Sequence, residues 1–149
     1  MIGLLQRVTS ATVAVETEVV ADIGTGLLVL VGVERGDGDS QAARLAERLL
    51  NFRVFADDAG RMNRSLAEQG GSLLLVPQFT LAADTQKGTR AGFSRAATPE
   101  EGARLFDVLT HHAQRLCSRV QTGRFGAHMQ VTLVNDGPVT FWLRADPRG

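Results

Sequence analysis

The chain has one cysteine, one lysine and no excess of either charge among its 149 residues. The single cysteine, Cys117, excludes an intrachain disulfide and a cysteine-rich metal site, and it suits a reducing compartment. Sixteen basic residues balance sixteen acidic ones, so net charge gives no support for nucleic-acid binding. No apolar run approaches the roughly 18 residues of a membrane span, and no signal-peptide pattern opens the chain. These absences favour a cytoplasmic protein that does not bind a membrane.

Common catalytic and cofactor motifs are missing as well. The sequence has no zinc-ligand spacing, no phosphate-binding loop ending in Lys-Ser or Lys-Thr, and no Gly-x-Ser-x-Gly nucleophile turn. His111 and His112 are adjacent on a predicted helix, where their side chains point about 100° apart and are poorly placed to share a metal. No carboxylate spacing marks His128 as an oriented base. We therefore expect neither a metal nor a cofactor.

Apolar periodicity predicts about seven strands and two main helices. Thr98-Pro99 followed by Glu101 is a strong helix start, because it combines an N-cap, a proline at the first helical position and an acidic residue three positions after the cap. The strands and helices do not alternate regularly, which favours an α+β domain. We expect a curved, barrel-like, mixed or antiparallel sheet with the two helices packed outside, in one domain over 1–149 with a mobile tail at 145–149. The predicted strands are 2–8, 12–20, 26–33, 52–55, 72–76, 129–134 and 139–143, and the helices cover about 41–50 and five turns from residue 99.

Two short polar segments, 77–81 and 135–140, follow apolar strands and are not needed for a core. The first, Pro-Gln-Phe-Thr-Leu, offers an amide, a hydroxyl and adjacent backbone N–H groups. The second, Asn-Asp-Gly-Pro-Val-Thr, contains a Gly-Pro pair that fixes the backbone at Pro138 and leaves it free at Gly137. Together they predict a site that recognises a small polar group with main-chain atoms.

The pairing of these two segments resembles the D-aminoacyl-tRNA deacylases, also called the D-tyrosyl-tRNA deacylase family. Further matches occur in the same order along nearly the whole chain, and their number makes the resemblance far more specific than a lone Gly-Pro-Val-Thr. The matching segments are 5–8 (LQRV), 26–33 (GLLVLVGV), 61–63 (RMN), 83–85 with 87–88 (ADT, KG), and 123–127 with 129–131 (GRFGA, MQV).

The resemblance implies hydrolysis of the ester bond between a D-amino acid and the 3′-terminal adenosine of a tRNA, and also removal of glycine mischarged on tRNA. It assigns Gln78, Phe79 and Thr80 to the catalytic segment. Thr80 has no activating base near it in sequence, so we interpret it as a positioning group. Backbone N–H groups near Phe79 and Thr80 are placed to stabilise an oxyanion. Phe79 is expected to line the pocket for the terminal adenine, although a core role is equally compatible with the sequence.

The substrate-binding residues implied by the resemblance are Gly137, Pro138, Asn135, Arg7 and Met129. Gly137-Pro138 is expected to be cis and to form a rigid wall that excludes L side chains. A single wall of this kind would reject L substrates whatever the shape of their side chain. The pair is expected to enter the site of the other subunit of a homodimer. Arg7 and Asn135 are expected to hold the Gly-Pro turn, and Met129 lines the pocket or the core.

Pro77 departs from the family pattern, which usually has serine there. The loop 86–93 differs from the usual basic-proline pattern, so the resemblance does not assign tRNA contacts to it. Two other functions stay open at this point. One is a non-catalytic module that binds aminoacyl-tRNA for quality control, and the other is a hydrolase of free D-amino acid conjugates that needs no adenosine.

Overall fold

The computed structural model describes residues 1–146, which form a six-stranded sheet, a two-stranded ribbon, three α-helices and one 3₁₀ turn. This is the α+β architecture that the sequence predicts. In chain order the elements are β1 (Ile2–Val15), β2 (Glu18–Ile23), β3 (Gly26–Gly32), α1 (Asp39–Asn51), β4 (Phe55–Ala56), β5 (Met62–Arg64), α2 (Leu66–Gln69), β6 (Ser72–Pro77), the 3₁₀ turn (Phe79–Ala82), α3 (Pro99–Leu116), β7 (Val120–Thr122) and β8 (Met129–Arg144).

The sheet combines an antiparallel half with a parallel half. β8 pairs with β1 along the whole length of β1, while the other edge of β1 is shared by β3 and β2. β3, β6 and β7 are parallel to one another. At the far edge, Asp22 of β2 donates its N–H to the Gln121 side chain of β7 at 2.8 Å, and Gln121 donates back to the Asp22 carbonyl at 2.8 Å. This side-chain bridge draws β2 and β7 together, so the sheet curls into a nearly closed barrel.

Both faces of the central strand β3 are buried. Leu27 and Val29 pack beneath α1 and α3, while Leu28 faces the inside of the curled sheet beside Leu74 and Val76. This burial on two faces explains why β3 reads as a nearly continuous apolar run. Each fully buried leucine or valine contributes about 1.5–3 kcal/mol relative to exposure, so the two cores together stabilise the curl.

The two predicted main helices are confirmed. The α1 stripe buries Ala42, Leu45, Ala46 and Leu49, as its spacing predicts. α3 starts after Thr98, whose side chain accepts a hydrogen bond from the N–H of Glu101 at 3.3 Å.

Strand boundaries differ from the sequence prediction in three places. The predicted strand 52–55 is only the two-residue β4, Phe55–Ala56, because α1 runs on to Asn51 and Phe52 caps it. β1 does not break near residue 9: its exposed Thr9 and Ser10 continue the strand past a register shift. The turn comes later, at Glu16, which has a positive φ of 57°. The predicted strands 129–134 and 139–143 are one strand, β8, interrupted by an irregularity between its two halves. The short elements β5, α2 and β7 carry too few residues for periodicity to reveal them.

The chain ends of the described part lie together. The Met1 amino group donates to Asp37 Oδ1 and to the Ala145 carbonyl, both at 2.8 Å, and the Ala145 N–H donates to the Met1 carbonyl at 2.8 Å. Ala145, the first residue of the predicted mobile tail, is therefore buried and bonded, and residues 147–149 of that tail lie outside the described residues. Within residues 1–146, no helix is long and apolar enough to cross a membrane.

Candidate active site

A cleft of about 440 Å³ opens where the parallel strands β3 and β6 end. Its floor comes from those strand ends, and its sides come from the N-terminal turns of α3 and from the segment before and at the start of β8. Most of its lining side chains are apolar. The lining residues are Val31, Val33, 76–79, 97–99, Gly102, Phe106, 125–129 and Val131.

The segment after β6 turns sharply at the cleft. Gln78 donates its N–H to the Val31 carbonyl at 2.7 Å, which extends the β3–β6 pairing by one residue. The 3₁₀ turn then packs on Gly32, where an added Cβ would lie 2.9 Å from Leu81 Cβ. Glycine at residue 32 is thus required for this close approach.

Two backbone donors in this turn are unused. In the described residues, the N–H groups of Phe79 and Thr80 have no acceptor, as is usual for the first turn of a helix. Gln78 donates its side-chain amide to the Thr80 hydroxyl, which orients both groups. The Phe79 ring is 60% exposed and contacts Phe93, with ring centroids 5.1 Å apart. The three residues predicted to be catalytic therefore form one compact group: Gln78 and Phe79 line the cleft, and Thr80 is exposed next to them.

Met129 lies on the far wall of the same cleft. Its sulfur accepts a hydrogen bond from the Arg124 N–H at 3.4 Å, and its side chain also packs against the core inside the curled sheet. Both interpretations offered by the sequence, pocket lining and core, thus describe its position. Phe125 and Gly102 complete this end of the cleft, since a Cβ on Gly102 would lie 3.2 Å from the Phe125 ring.

The Gly137-Pro138 pair sits on an exposed irregularity in the middle of β8, and its peptide bond is cis. Between the pairings of Val8 with Asn135 and of Gln6 with Thr140, four residues bulge out of the ladder. Asn135 closes this bulge: its Oδ1 accepts from the Val139 N–H at 2.7 Å, and its Nδ2 donates to Thr140 Oγ1 at 2.9 Å.

Arg7 braces the same bulge from the neighbouring strand. Its Nε donates to the Asp136 carbonyl at 2.9 Å, and its Nη1 donates to the Val54 carbonyl at 2.7 Å. The Asp136 carboxylate lies 3.7 Å from Arg7 Nε and adds charge attraction. A guanidinium with several donors fits this role, because it can hold two carbonyls at once.

Within one chain the two predicted parts of the site do not line the same cleft. Met129 lines the cleft, and Gly137 lies eight residues further along β8, inside the Gly-Pro bulge. None of the residues of the Gly-Pro bulge lines the cleft that Gln78 and Phe79 line.

Comparison with known proteins identifies the family. A family model described as D-Tyr-tRNA(Tyr) deacylase matches residues 4–144. The chain belongs to this deacylase family. A relative named D-aminoacyl-tRNA deacylase from Thioalkalivibrio sulfidiphilus is 61% identical, with 99% of each chain covered. Another of that name from Methylococcus capsulatus is 63% identical over 99% of this chain and 96% of the relative.

Solved structures agree with the deacylase family fold. A structure described as c-Myc DNA unwinding element binding protein superposes with a TM-score of 0.93 at 33% identity, covering 98% of this chain and 99% of the other. A probable eukaryotic D-amino acid tRNA deacylase superposes with a TM-score of 0.80 at 21% identity, covering 95% and 97%, and this match shows the fold alone. The proteins named deacylases in this family are hydrolases of ester bonds in aminoacyl-tRNA, and the chain is an enzyme of that class.

Charge around the deacylase cleft comes from few groups. In the first turn of α3, a hydrogen bond from Arg104 holds the pKa of Glu101 below its usual value, and the same contact raises the pKa of Arg104. In the part of the chain that the structure describes, no group of three or more His, Cys, Asp or Glu could hold a metal ion. His128 lines the cleft, but no carboxylate hydrogen bond orients it in residues 1–146.

The sequence did not reveal the α3 contribution to this cleft. Thr98 is recognisable as a helix cap, but only the packing of α3 across the ends of β3 and β6 brings it to the wall. Phe125, in the glycine-containing segment 123–127, also lines the cleft, and its exposed side chain became evident only in the structure.

Proposed function

We propose that this protein hydrolyses the ester that joins a D-amino acid to the 3′-terminal adenosine of tRNA. Water adds across the ester, and free D-amino acid and tRNA are released. The observation that carries the proposal is the pair of unused N–H groups at Phe79, which lines an apolar cleft, and at the adjacent Thr80, in a chain of the deacylase family. A volume of about 440 Å³ lies within the range of sites for small ligands.

The reaction does not require a side-chain nucleophile. An aminoacyl ester is already activated, so stabilising the negative charge on the carbonyl oxygen of the tetrahedral intermediate is the main task. Removal of one such donor typically costs 100- to 1,000-fold in rate, so two backbone donors are a substantial contribution. In this proposal Thr80 positions the substrate, and the 2′-hydroxyl of the tRNA assists the attack. The exposed Phe79 ring packs against the terminal adenine.

The proposed origin of chiral selection is the Gly137-Pro138 wall. Its carbonyl oxygens bind the α-amino group, and the wall occupies the space that an L side chain would need. A D side chain points away from the wall and is accepted whatever its shape. Glycine has no side chain to exclude, so glycine mischarged on tRNA is a further proposed substrate.

The proposed active unit is a homodimer in which Gly137-Pro138 of one subunit enters the cleft of the other. The absence of the Gly-Pro bulge from the described lining of its own subunit's cleft supports this arrangement. Asn135 and Arg7 hold the exposed bulge in one shape, which suits a segment that must fit a partner's site. The reaction substrate, charged tRNA, places the enzyme in the cytoplasm in this proposal.

Hydrolysis of matched D- and L-aminoacyl-tRNA tests the proposal. We expect loss of the D ester only. Stable binding of charged tRNA with no turnover of either ester would favour the non-catalytic quality-control module, and turnover of simple D-aminoacyl esters as fast as of D-aminoacyl-tRNA would favour a hydrolase of free D-amino acid conjugates.

A further inference from the structure

The loop from residue 83 to residue 96, which we name the basic loop, carries three exposed cations. Lys87, Arg90 and Arg95 are solvent-exposed, and their side chains make no ion pair or hydrogen bond within residues 1–146. The only acidic residue of the loop, Asp84, accepts a hydrogen bond from the Gln86 N–H at 3.1 Å. In a chain with no net charge, this loop is therefore a local excess of positive charge.

The basic loop leaves the cleft and returns to it. It follows the 3₁₀ turn that begins at Phe79, and the residue after it, Ala97, also lines the cleft. Backbone bonds fix its ends, since Ala97 donates its N–H to the Val33 carbonyl at 3.0 Å and Arg35 donates to the Arg95 carbonyl at 2.9 Å. Both ends of the basic loop are thus anchored next to residues that line the cleft.

The tip of the loop is also held in place. Asp84 and Gly92 exchange two backbone hydrogen bonds, of 2.7 and 3.0 Å, which close residues 85–91 into a projecting tip. Beyond the bridge, the Phe93 ring packs on Phe79. Lys87 and Arg90 therefore stand on a tip whose base contacts the catalytic segment.

We propose that the basic loop binds backbone phosphates of the tRNA acceptor end, next to the terminal adenosine. The inference rests on the proposed function, because it assumes that the adenosine enters the cleft. Phosphate contacts fix the register of a nucleic acid without reading its sequence, and flexible basic side chains without protein partners are suited to them. Few acidic residues oppose the contact: Glu101 is paired with Arg104, which leaves Asp84 and Glu100 without an ion pair in the described residues, against three cations of the loop.

The test compares the double variant Lys87→Glu/Arg90→Glu with a charge-matched control, Arg44→Glu/Arg115→Glu. The control residues are exposed on α1 and α3, and neither lines the cleft. Two substrates are used, D-aminoacyl-tRNA and the small ester D-aminoacyl-adenosine. Affinity for an uncharged RNA hairpin that ends in the acceptor sequence is measured separately by fluorescence anisotropy.

For the loop variant we expect KM for D-aminoacyl-tRNA to rise at least about tenfold, with hydrolysis of D-aminoacyl-adenosine unchanged. Hairpin affinity should fall, and its salt dependence should weaken by roughly 0.7 in log–log slope for each lost phosphate contact. The control should match the unmodified protein. Unchanged hairpin affinity in the loop variant, or equal losses on both esters, would overturn the inference. Because the hairpin measurement needs no turnover, failure of the deacylase proposal and failure of the basic-loop proposal are distinguishable.

Discussion

At the scale of single residues, Gly137 is constrained both by its backbone conformation and by its neighbours. Its φ of 148° lies in a region that side chains rarely adopt, and an added Cβ would lie 2.6 Å from Val139 Cγ2 and 2.8 Å from the Val139 N. Any side chain there must displace the Gly-Pro bulge. A shift of about 1 Å in a positioning group can cost roughly 100-fold in rate.

Gly137→Ala should therefore lower kcat/KM for D-aminoacyl-tRNA at least about 100-fold. Gly60→Ala is the matched control, because Gly60 also has a positive φ, 81°, but an added Cβ meets nothing within 4 Å. Both variants should fold, with a modest fall in Tm from backbone strain. A Gly137→Ala enzyme that kept full activity and chiral selection would show that the wall model is wrong.

Substitution of Thr80, in contrast to that of Gly137, should have only a small effect on activity. If its hydroxyl positions substrate and is not a nucleophile, Thr80→Ala should keep hydrolysis within about tenfold of the unmodified rate, since a single neutral hydrogen bond contributes about 0.5–1.5 kcal/mol. Single-turnover rates would measure this, with Thr80→Ser as the conservative comparison. Complete loss of turnover in Thr80→Ala, with tRNA binding intact, would assign Thr80 a chemical role.

Some residues of the proposed site could be recognised from the sequence, and others could not. The segments around Gln78 and Pro138 are recognisable because they place polar groups and a Gly-Pro pair where a core needs neither. The contact of Arg7 with the Asp136 carbonyl joins residues 129 positions apart. No local pattern encodes such a contact, so only the family resemblance suggested it.

At the scale of secondary-structure elements, β8 is one continuous strand with the Gly-Pro bulge in its middle. Sequence patterns divided it into two strands, because the polar run from Asn135 to Thr140 interrupts the apolar alternation. The pairing with β1 continues past the bulge because β1 is long enough to hold both halves. The pairing with β1 therefore decides that β8 is one strand, and apolar periodicity in the sequence does not reveal such pairing. For the same reason β1 continues past Ser10.

Arg7→Lys should loosen this bulge while keeping the charge. A lysine ammonium does not reproduce the two-carbonyl contact of Arg7 with Asp136 and Val54, so we expect lower activity together with a stability loss of about 1–2 kcal/mol. Arg53→Lys, at an exposed position, is the control and should change neither quantity. Urea unfolding and kcat/KM measure the two effects. Unchanged activity in Arg7→Lys would show that the shape of the bulge does not matter for turnover.

At the scale of the whole molecule, the separation of the two parts of the proposed site predicts complementation between inactive variants. Phe79→Ala and Gly137→Ala subunits would be mixed and refolded together to form mixed dimers. In one of the two clefts of each mixed dimer, the Gly137→Ala subunit supplies an unmodified Phe79 and the Phe79→Ala subunit supplies an unmodified Gly137. About one quarter of all sites should then be active if subunits pair at random and the Gly-Pro pair enters the partner's cleft. If the pair served its own cleft, no mixed dimer would regain activity.

The barrel-like curl was predictable only in outline, because the sequence shows strands and helices but not how they close. Closure is made by the Gln121 bridge to Asp22, which joins residues 99 positions apart. The packing of the first turns of α3 beside the ends of β3 and β6 is also a long-range contact, which explains why segment 77–81 stood out in the sequence while the α3 wall of the cleft did not.

The most direct test of the account is the hydrolysis of D-Tyr-tRNA and L-Tyr-tRNA, charged on the same tRNA, with a metal chelator present. We predict rapid release of tyrosine from the D ester and stability of the L ester at the level of the enzyme-free control. Equal loss of both esters would contradict the excluding wall. Stability of both, with a folded enzyme, would contradict deacylation itself.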